Sequence, residues 1–182
     1  MKMTKSEFIP TIAPIVIEEN KKRGKPLFSS VVIAQAICES NWGQSKIMMK
    51  ANAIFGIKAT SSWKGKVYNA NTQECYDGST YTNITACFRA YDSLAESISD
   101  YFDLITELDR YKKAVHTQSP LECITAIKNG GYATSPTYIN TIMSIDLEEL
   151  LDYETGKVIP LGIAKIESLF TSMLRGLSFA GG

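Results

Sequence analysis

Histidine is almost missing from this chain. Its 182 residues hold one, His116, beside four cysteines, Cys38, Cys75, Cys87 and Cys123, that lie far apart with no CxxC pair. Zinc-site spacing is therefore absent, and neither a metal nor another cofactor is expected. Net charge is lacking as well, because Lys+Arg and Asp+Glu both number 19. Such a chain has no overall basic field for nucleic acid or an anionic membrane, and nucleic acid is not an expected partner. No apolar run approaches the roughly 20 residues of a membrane span. The opening MKMTKSEFIPTIAPIVIEEN lacks a continuous apolar core, since Pro10 and Pro14 interrupt it, and it lacks a small-residue cleavage site. The expectation is synthesis in the cytoplasm without a signal peptide, with reduced thiols as the default state.

What is present is ordinary globular material, 45% hydrophobic and 21% charged, enough for one domain with a sizeable core and a short appendage. Residues 4–22 read as a helix, with Phe8, Ile12 and Ile15 at helical spacing. A second helix follows through Val31-Val32-Ile33-Ala34-Gln35-Ala36-Ile37-Cys38, capped by Ser29 or Ser30 and ended near Gly43. From Trp63 to Tyr91, alternation, threonines, aromatics and the pair Asp77-Gly78 predict a β-hairpin. Across it a Cys75–Cys87 bridge is conceivable. Ser93-Leu94-Ala95-Glu96 and Ser119-Pro120-Leu121-Glu122 have the form of capping boxes opening two further helices, and Ser135-Pro136 opens one expected to run to about Asp152. The fold class is thus α+β, mainly α.

The second helix carries one carboxylate, Glu39, on a stripe with Val32, Gln35 and Ala36. Burying an ionised carboxylate costs several kcal/mol unless it is paired, so such a Glu either finds a cation or keeps its proton at neutral pH. A proton held near pH 7 is what a general acid requires. The competing reading turns Glu39 to solvent or pairs it with Lys46, and the helix by itself does not decide between them.

The string Gln35-Ala36-Ile37-Cys38-Glu39-Ser40-Asn41-Trp42-Gly43, followed by Asn52-Ala53-Ile54-Phe55-Gly56-Ile57-Lys58, resembles the signature of the family 73 glycoside hydrolases, peptidoglycan N-acetylglucosaminidases of lysozyme-like fold. Matches continue in order through Trp63-Lys64-Gly65, Thr72-Gln73-Glu74, Phe88-Arg89-Ala90-Tyr91, Arg110-Tyr111 and Gly131-Tyr132-Ala133-Thr134-Ser135-Pro136-Thr137-Tyr138. The resemblance implies a catalytic domain over 1–153, with the hairpin lobe as one wall of the substrate cleft. It implies Glu39 as acid, Glu74 as its partner toward water or the developing positive charge, and Tyr132 as a residue orienting the 2-acetamido group or the attacking water. Gln35, Asn52, Phe55, Tyr91 and Tyr138 are the expected substrate-binding set. If the acetamido group is itself the nucleophile, Glu74 matters less. Ser135 and Ala53 depart from the family's usual Asp and Asn.

The implied activity is an endo-acting cleavage of the β-1,4 bond between N-acetylglucosamine and N-acetylmuramic acid, with glycan strands of bacterial peptidoglycan as partner. A muramidase or lytic transglycosylase on the same fold is the rival enzyme, and a non-catalytic glycan-binding or structural virion subunit is the rival of another class. A leaderless chain with an extracellular substrate suggests release by a holin or carriage in a phage particle. Residues 154–182 hold Ile163, Ile166, Phe170, Met173, Leu174 and Leu177 at helical spacing. That tail is expected to be an amphipathic helix packing on its own domain, or else binding a second copy or a membrane surface.

Overall fold

A computed structural model describes residues 3–75 and 81–145, the side chains of 72–75 and 81–84 excepted. The Asp77-Gly78 turn and the 154–182 tail lie outside the described residues. The chain runs α1 (Lys5–Lys22), α2 (Ser29–Ser40), α3 (Lys46–Ala51), β1 (Lys66–Cys75), β2 (Tyr81–Ala90), α4 (Leu94–Glu107), a 3-10 helix (Asp109–Ala114), α5 (Pro120–Asn129) and α6 (Tyr138–Met143). The helices enclose the main core, and the two strands form an antiparallel lobe beside it.

α1 starts where the Glu7 carboxylate accepts from the Thr4 backbone N–H at 2.8 Å and from the Thr4 hydroxyl at 2.7 Å. Pro10 and Pro14 sit inside this helix on its exposed side, while Phe8, Ile12 and Val16 are buried opposite. The hydrogen bonds each proline removes therefore cost least, since water can reach the freed carbonyls. Buried Asn20 closes the loop to α2, donating to the Leu27 carbonyl at 2.8 Å and to Ser29 Oγ at 2.9 Å. Ser29 and Ser30 were expected as caps, but the helix takes both into its first turn behind Phe28. Asn20 supplies the polar partner that frees Ser29 from capping.

α2 is buried along nearly its whole length, and its end is abrupt. Asn41, Trp42 and Gly43 all adopt positive φ, at 49°, 57° and 75°, while Trp42 N–H reaches back to the Ile37 carbonyl at 3.0 Å. This is a left-handed helix stop, for which glycine and asparagine are the least strained residues. A Cβ on Gly43 would lie 3.1 Å from Phe8 Cδ2, so φ and packing both favour glycine there.

Ser93 and Ser119 cap α4 and α5 as the sequence implies, Ser93 Oγ accepting from Glu96 N–H at 3.1 Å and Ser119 Oγ from Glu122 N–H at 3.2 Å, while the two glutamates reach back one residue past the cap, accepting from Asp92 N–H and Gln118 N–H, both at 2.9 Å. α6 departs from expectation. Ser135, Pro136 and Thr137 make a turn, the Ser135 hydroxyl meets Thr137 Oγ1 at 3.0 Å without capping, and the helix opens only at Tyr138.

In the hairpin, Lys66 pairs with Ala90 and the register continues to Cys75 opposite Tyr81. Cys87 lies opposite Asn69, so Cys75 and Cys87 are about 20 Å apart along the strands, six residues at ~3.3 Å each. A bridge between them is ruled out, and Cys38, Cys87 and Cys123 are free thiols. The 57–59 segment runs alongside β2, with Arg89 N–H donating to the Ile57 carbonyl and Ala59 N–H to the Cys87 carbonyl, both at 2.8 Å.

Gly24 and Gly43 share a φ of +75°, but nothing lies within 4 Å of a Cβ on Gly24. Gly24→Ala should therefore cost only the left-handed strain, about 1 kcal/mol, and Gly43→Ala about 2–3 kcal/mol, the difference reporting the Phe8 clash. Urea titration of both variants measures it, and equal losses would show that packing at Gly43 adds nothing.

Candidate active site

Glu39 occupies the last turn of α2, where the helix's unpaired carbonyls disfavour a negative charge. It lines a cleft of about 410 Å³, within the range of roughly 300–1,000 Å³ common to ligand sites. One wall is Ser45, Lys46 and Ile47 at the start of α3; the other is Tyr68, Asn69, Ala70 and Asn71 of β1 with Phe88 of β2. The hairpin is thus one side of the cleft. Amides, a hydroxyl and an ammonium alternate there with apolar surface, a mixture suited to sugar rings, which present hydroxyls at their edges and apolar faces.

The carboxyl itself is held by Tyr138, whose hydroxyl donates to Glu39 Oε1 at 2.9 Å. Gln35, one helical turn earlier, donates from Nε2 to Tyr138 Oη at 2.9 Å and accepts at Oε1 from the Tyr101 hydroxyl. Among the described residues Glu39 has no ion pair, and Lys46 does not reach it. Burial pushes the Glu39 carboxyl up to about 7, and the Tyr138 hydrogen bond pulls the other way. Tyr101, Tyr132 and Tyr138 are all driven well above the usual tyrosine range, first by burial and then by nearby charge, so they act as neutral donors. Because Oε1 already accepts from Tyr138, the proton of the neutral acid belongs on Oε2.

Other expected site residues are placed differently. Gln35 is fully buried, and its amide is committed to two tyrosines, so it cannot contact substrate. Phe55, 2% exposed, stacks on Tyr101 at 4.1 Å and belongs to the core. Asn52 and Tyr91 fasten the hairpin to the helices: Asn52 Nδ2 donates to the Tyr91 carbonyl at 3.0 Å, and the Tyr91 hydroxyl donates to Asp100 Oδ2 at 2.7 Å. Asp100 also takes two bonds from Arg89 Nη1, at 2.7 and 2.9 Å. None of these four lines the cleft beside Glu39.

Tyr132 stands among Tyr101, Tyr111 and Tyr138, with ring centroids 5.9, 6.4 and 6.3 Å away. Its hydroxyl donates to the Phe55 carbonyl at 3.1 Å, not to Glu39. It lines a separate cavity of about 270 Å³ with Arg89, Arg110 and Tyr111. Glu74 lies on β1 opposite Thr82, three residues beyond Asn71, and its side chain is outside the described residues. Tyr101 is missing from the set the sequence suggests; the signal that could have found it is that a buried hydroxyl demands a partner.

A family model described as glucosaminidase, mannosyl-glycoprotein endo-beta-N-acetylglucosaminidase, matches residues 13–148. The chain belongs to this glucosaminidase family. Peptidoglycan hydrolase FlgJ of Salmonella typhimurium is 35% identical over 144 residues, covering 77% of this chain and 45% of that protein. Exo-glucosaminidase LytG of Bacillus subtilis is 37% identical over 129 residues, 66% of this chain and 45% of that protein. A crystal structure of a mutant peptidoglycan hydrolase from Sphingomonas sp. A1 superposes with a TM-score of 0.71 at 31% identity, covering 81% of this chain and 99% of that one. This glucosaminidase-family chain spans a little under half the length of those two curated relatives. Among the described residues no helix is long and apolar enough to cross a membrane.

The Glu39 environment sets a pH dependence of stability. The carboxyl moves from 4.5 to about 7 on folding, so between these values the unfolded state sheds the proton first. Stability falls as pH rises through that window and levels off above it. Glu39→Gln in this glucosaminidase-family site is therefore expected to gain on the wild type as pH rises, reaching on the order of 2 kcal/mol above pH 7 after discounting for partial exposure. Thermal unfolding at pH 4.5 and pH 8 checks this, and a pH-independent difference would contradict the raised acid.

Proposed function

We propose that this chain is a peptidoglycan hydrolase that cleaves the β-1,4 bond after N-acetylglucosamine within glycan strands, with Glu39 as general acid. The observation that carries this reading is a carboxyl group kept near pH 7 by burial, paired with a tyrosine and not with a cation, at the edge of an open cleft. The family and the names of the relatives support the substrate: one is a peptidoglycan hydrolase and another an exo-glucosaminidase.

In the reaction the proton on Glu39 Oε2 passes to the glycosidic oxygen. The bond from that oxygen to C1 breaks with its electron pair going to the leaving sugar, and positive charge develops at C1. Glu39 is left ionised, and the Tyr138 hydrogen bond stabilises that form until a proton returns. In this reading Glu74 is the partner that activates water or faces the C1 charge. The alternative route uses the substrate's own acetamido oxygen as nucleophile.

Digestion of purified peptidoglycan followed by mass spectrometry is expected to show reducing N-acetylglucosamine ends with the wild type and none with Glu39→Gln, which keeps its binding to the wall. Reducing or anhydro-muramic ends would replace this assignment with a muramidase or transglycosylase. Full wall lysis by Glu39→Gln would remove Glu39 from the chemistry. Glu74→Gln separates the two routes: a loss of about 100-fold or more in kcat is expected for an acting base or nucleophile, whereas a change under tenfold favours the acetamido route.

A further inference from the structure

We propose that Gln35 and Tyr101 are positioning residues for the acid: they fix the direction of the hydrogen-bond chain through Tyr138, so that Glu39 can carry its proton only on the oxygen free to donate. This rests on Glu39 being the acid.

The chain Tyr101–Gln35–Tyr138–Glu39 can be written in two directions. In the first, Tyr101 donates to Gln35 Oε1, Gln35 Nε2 donates to Tyr138, and Tyr138 donates to Glu39 Oε1, as the structure has it. It accommodates an ionised Glu39, or a neutral one with its proton on Oε2. In the second, the Gln35 amide is turned over: Nε2 faces Tyr101, Tyr138 donates to the amide oxygen, and Glu39 must donate inward from Oε1. That arrangement exists only for the neutral acid and spends its proton on Tyr138.

Tyr101 selects between them. Its hydroxyl is buried, and Gln35 Oε1 is its acceptor. Turning the amide over would leave that O–H with no acceptor in a site closed to water, a costly defect. Gln35 transmits the choice, since its two ends cannot both donate or both accept. Removing the Tyr101 hydroxyl abolishes the penalty and lets the second arrangement compete.

The other groups facing Glu39 do not dictate direction. Cys38, its neighbour on α2, is held neutral by burial. Tyr132, from the segment after α5, gives its proton to the Phe55 carbonyl. Lys46 of α3 and Tyr68, Asn69 and Asn71 of β1 lie on the cleft walls, on the side where substrate enters.

Tyr101→Phe keeps the ring stacked on Phe55 and removes only the hydroxyl; Gln35→Met removes both ends of the link. Two readouts are needed, kcat against pH and a titration of the Glu39 carboxyl carbon by 13C NMR. For Tyr101→Phe, kcat on the plateau is expected to fall about tenfold, with KM within about twofold because no substrate contact is lost. The Glu39 titration and the alkaline limb should move up together by about half a unit or more, since the new arrangement stabilises only the neutral acid. Gln35→Met leaves Tyr138 no acceptor except Glu39, so the second arrangement cannot form there, and its Glu39 titration is expected to rise less than that of Tyr101→Phe. A Tyr101 hydroxyl that merely supports packing would, once removed, admit water and move the titration down toward 4.5; that result in Tyr101→Phe, or an unmoved titration there, overturns the proposal. The NMR shift is read without turnover, so a wild type that shows the titration but hydrolyses no wall defeats the functional reading, while the shift in Tyr101→Phe still reports whether Tyr101 sets the direction of the hydrogen-bond chain.

Discussion

A carboxyl group withdrawn from water and given a tyrosine hydroxyl in place of a cation is the constraint on which the rest of the structure depends. An arginine or lysine at the same spot would hold Glu39 ionised through neutral pH and leave it no proton to donate. The fold avoids this by surrounding the end of α2 with groups that can be buried at little cost: hydrocarbon, neutral phenols and a primary amide. The buried polar atoms of this link are engaged with one another, which is what makes their burial affordable.

The helices and the hairpin divide the work. α2, α4 and α6 meet behind Glu39 and supply Gln35, Tyr101 and Tyr138. The hairpin supplies the facing wall, and its position relative to the acid is fixed at its base by Arg89, Tyr91, Asp100 and Asn52. Asp100 takes bonds from both Arg89 and Tyr91, and Arg89 also lies 4.5 Å over the Trp63 ring. These residues shape the cleft while standing outside it.

How far the sequence revealed this depends on how local each signal is. The caps at Ser93 and Ser119 were legible because donor and acceptor lie three residues apart on one stretch of chain. The burial of α2 was legible from an apolar run too broad for a surface helix. Ser29 misled because its partner, Asn20, comes from the preceding helix. Asn52 and Tyr91 looked like cleft residues, yet each finds its partner across a junction between a helix and a strand that no periodicity encodes. Tyr138 showed in the sequence as a substrate-binding candidate; its place as the hydroxyl bonded to Glu39 depends on three helices distant along the chain converging on one point. Glu74 was placed on a strand correctly, and the rest of its role depends on a side chain outside the described residues.

Cys38 adjoins the acid in sequence and lies sealed in the same helix. Oxidants, alkylating agents and disulfides react with a thiolate, and burial together with the Glu39 charge starves this sulfur of that form. The helix that carries Glu39 therefore holds no readily oxidised sulfur. A sulfur one peptide bond from Glu39 thus presents little thiolate to an oxidant in its surroundings.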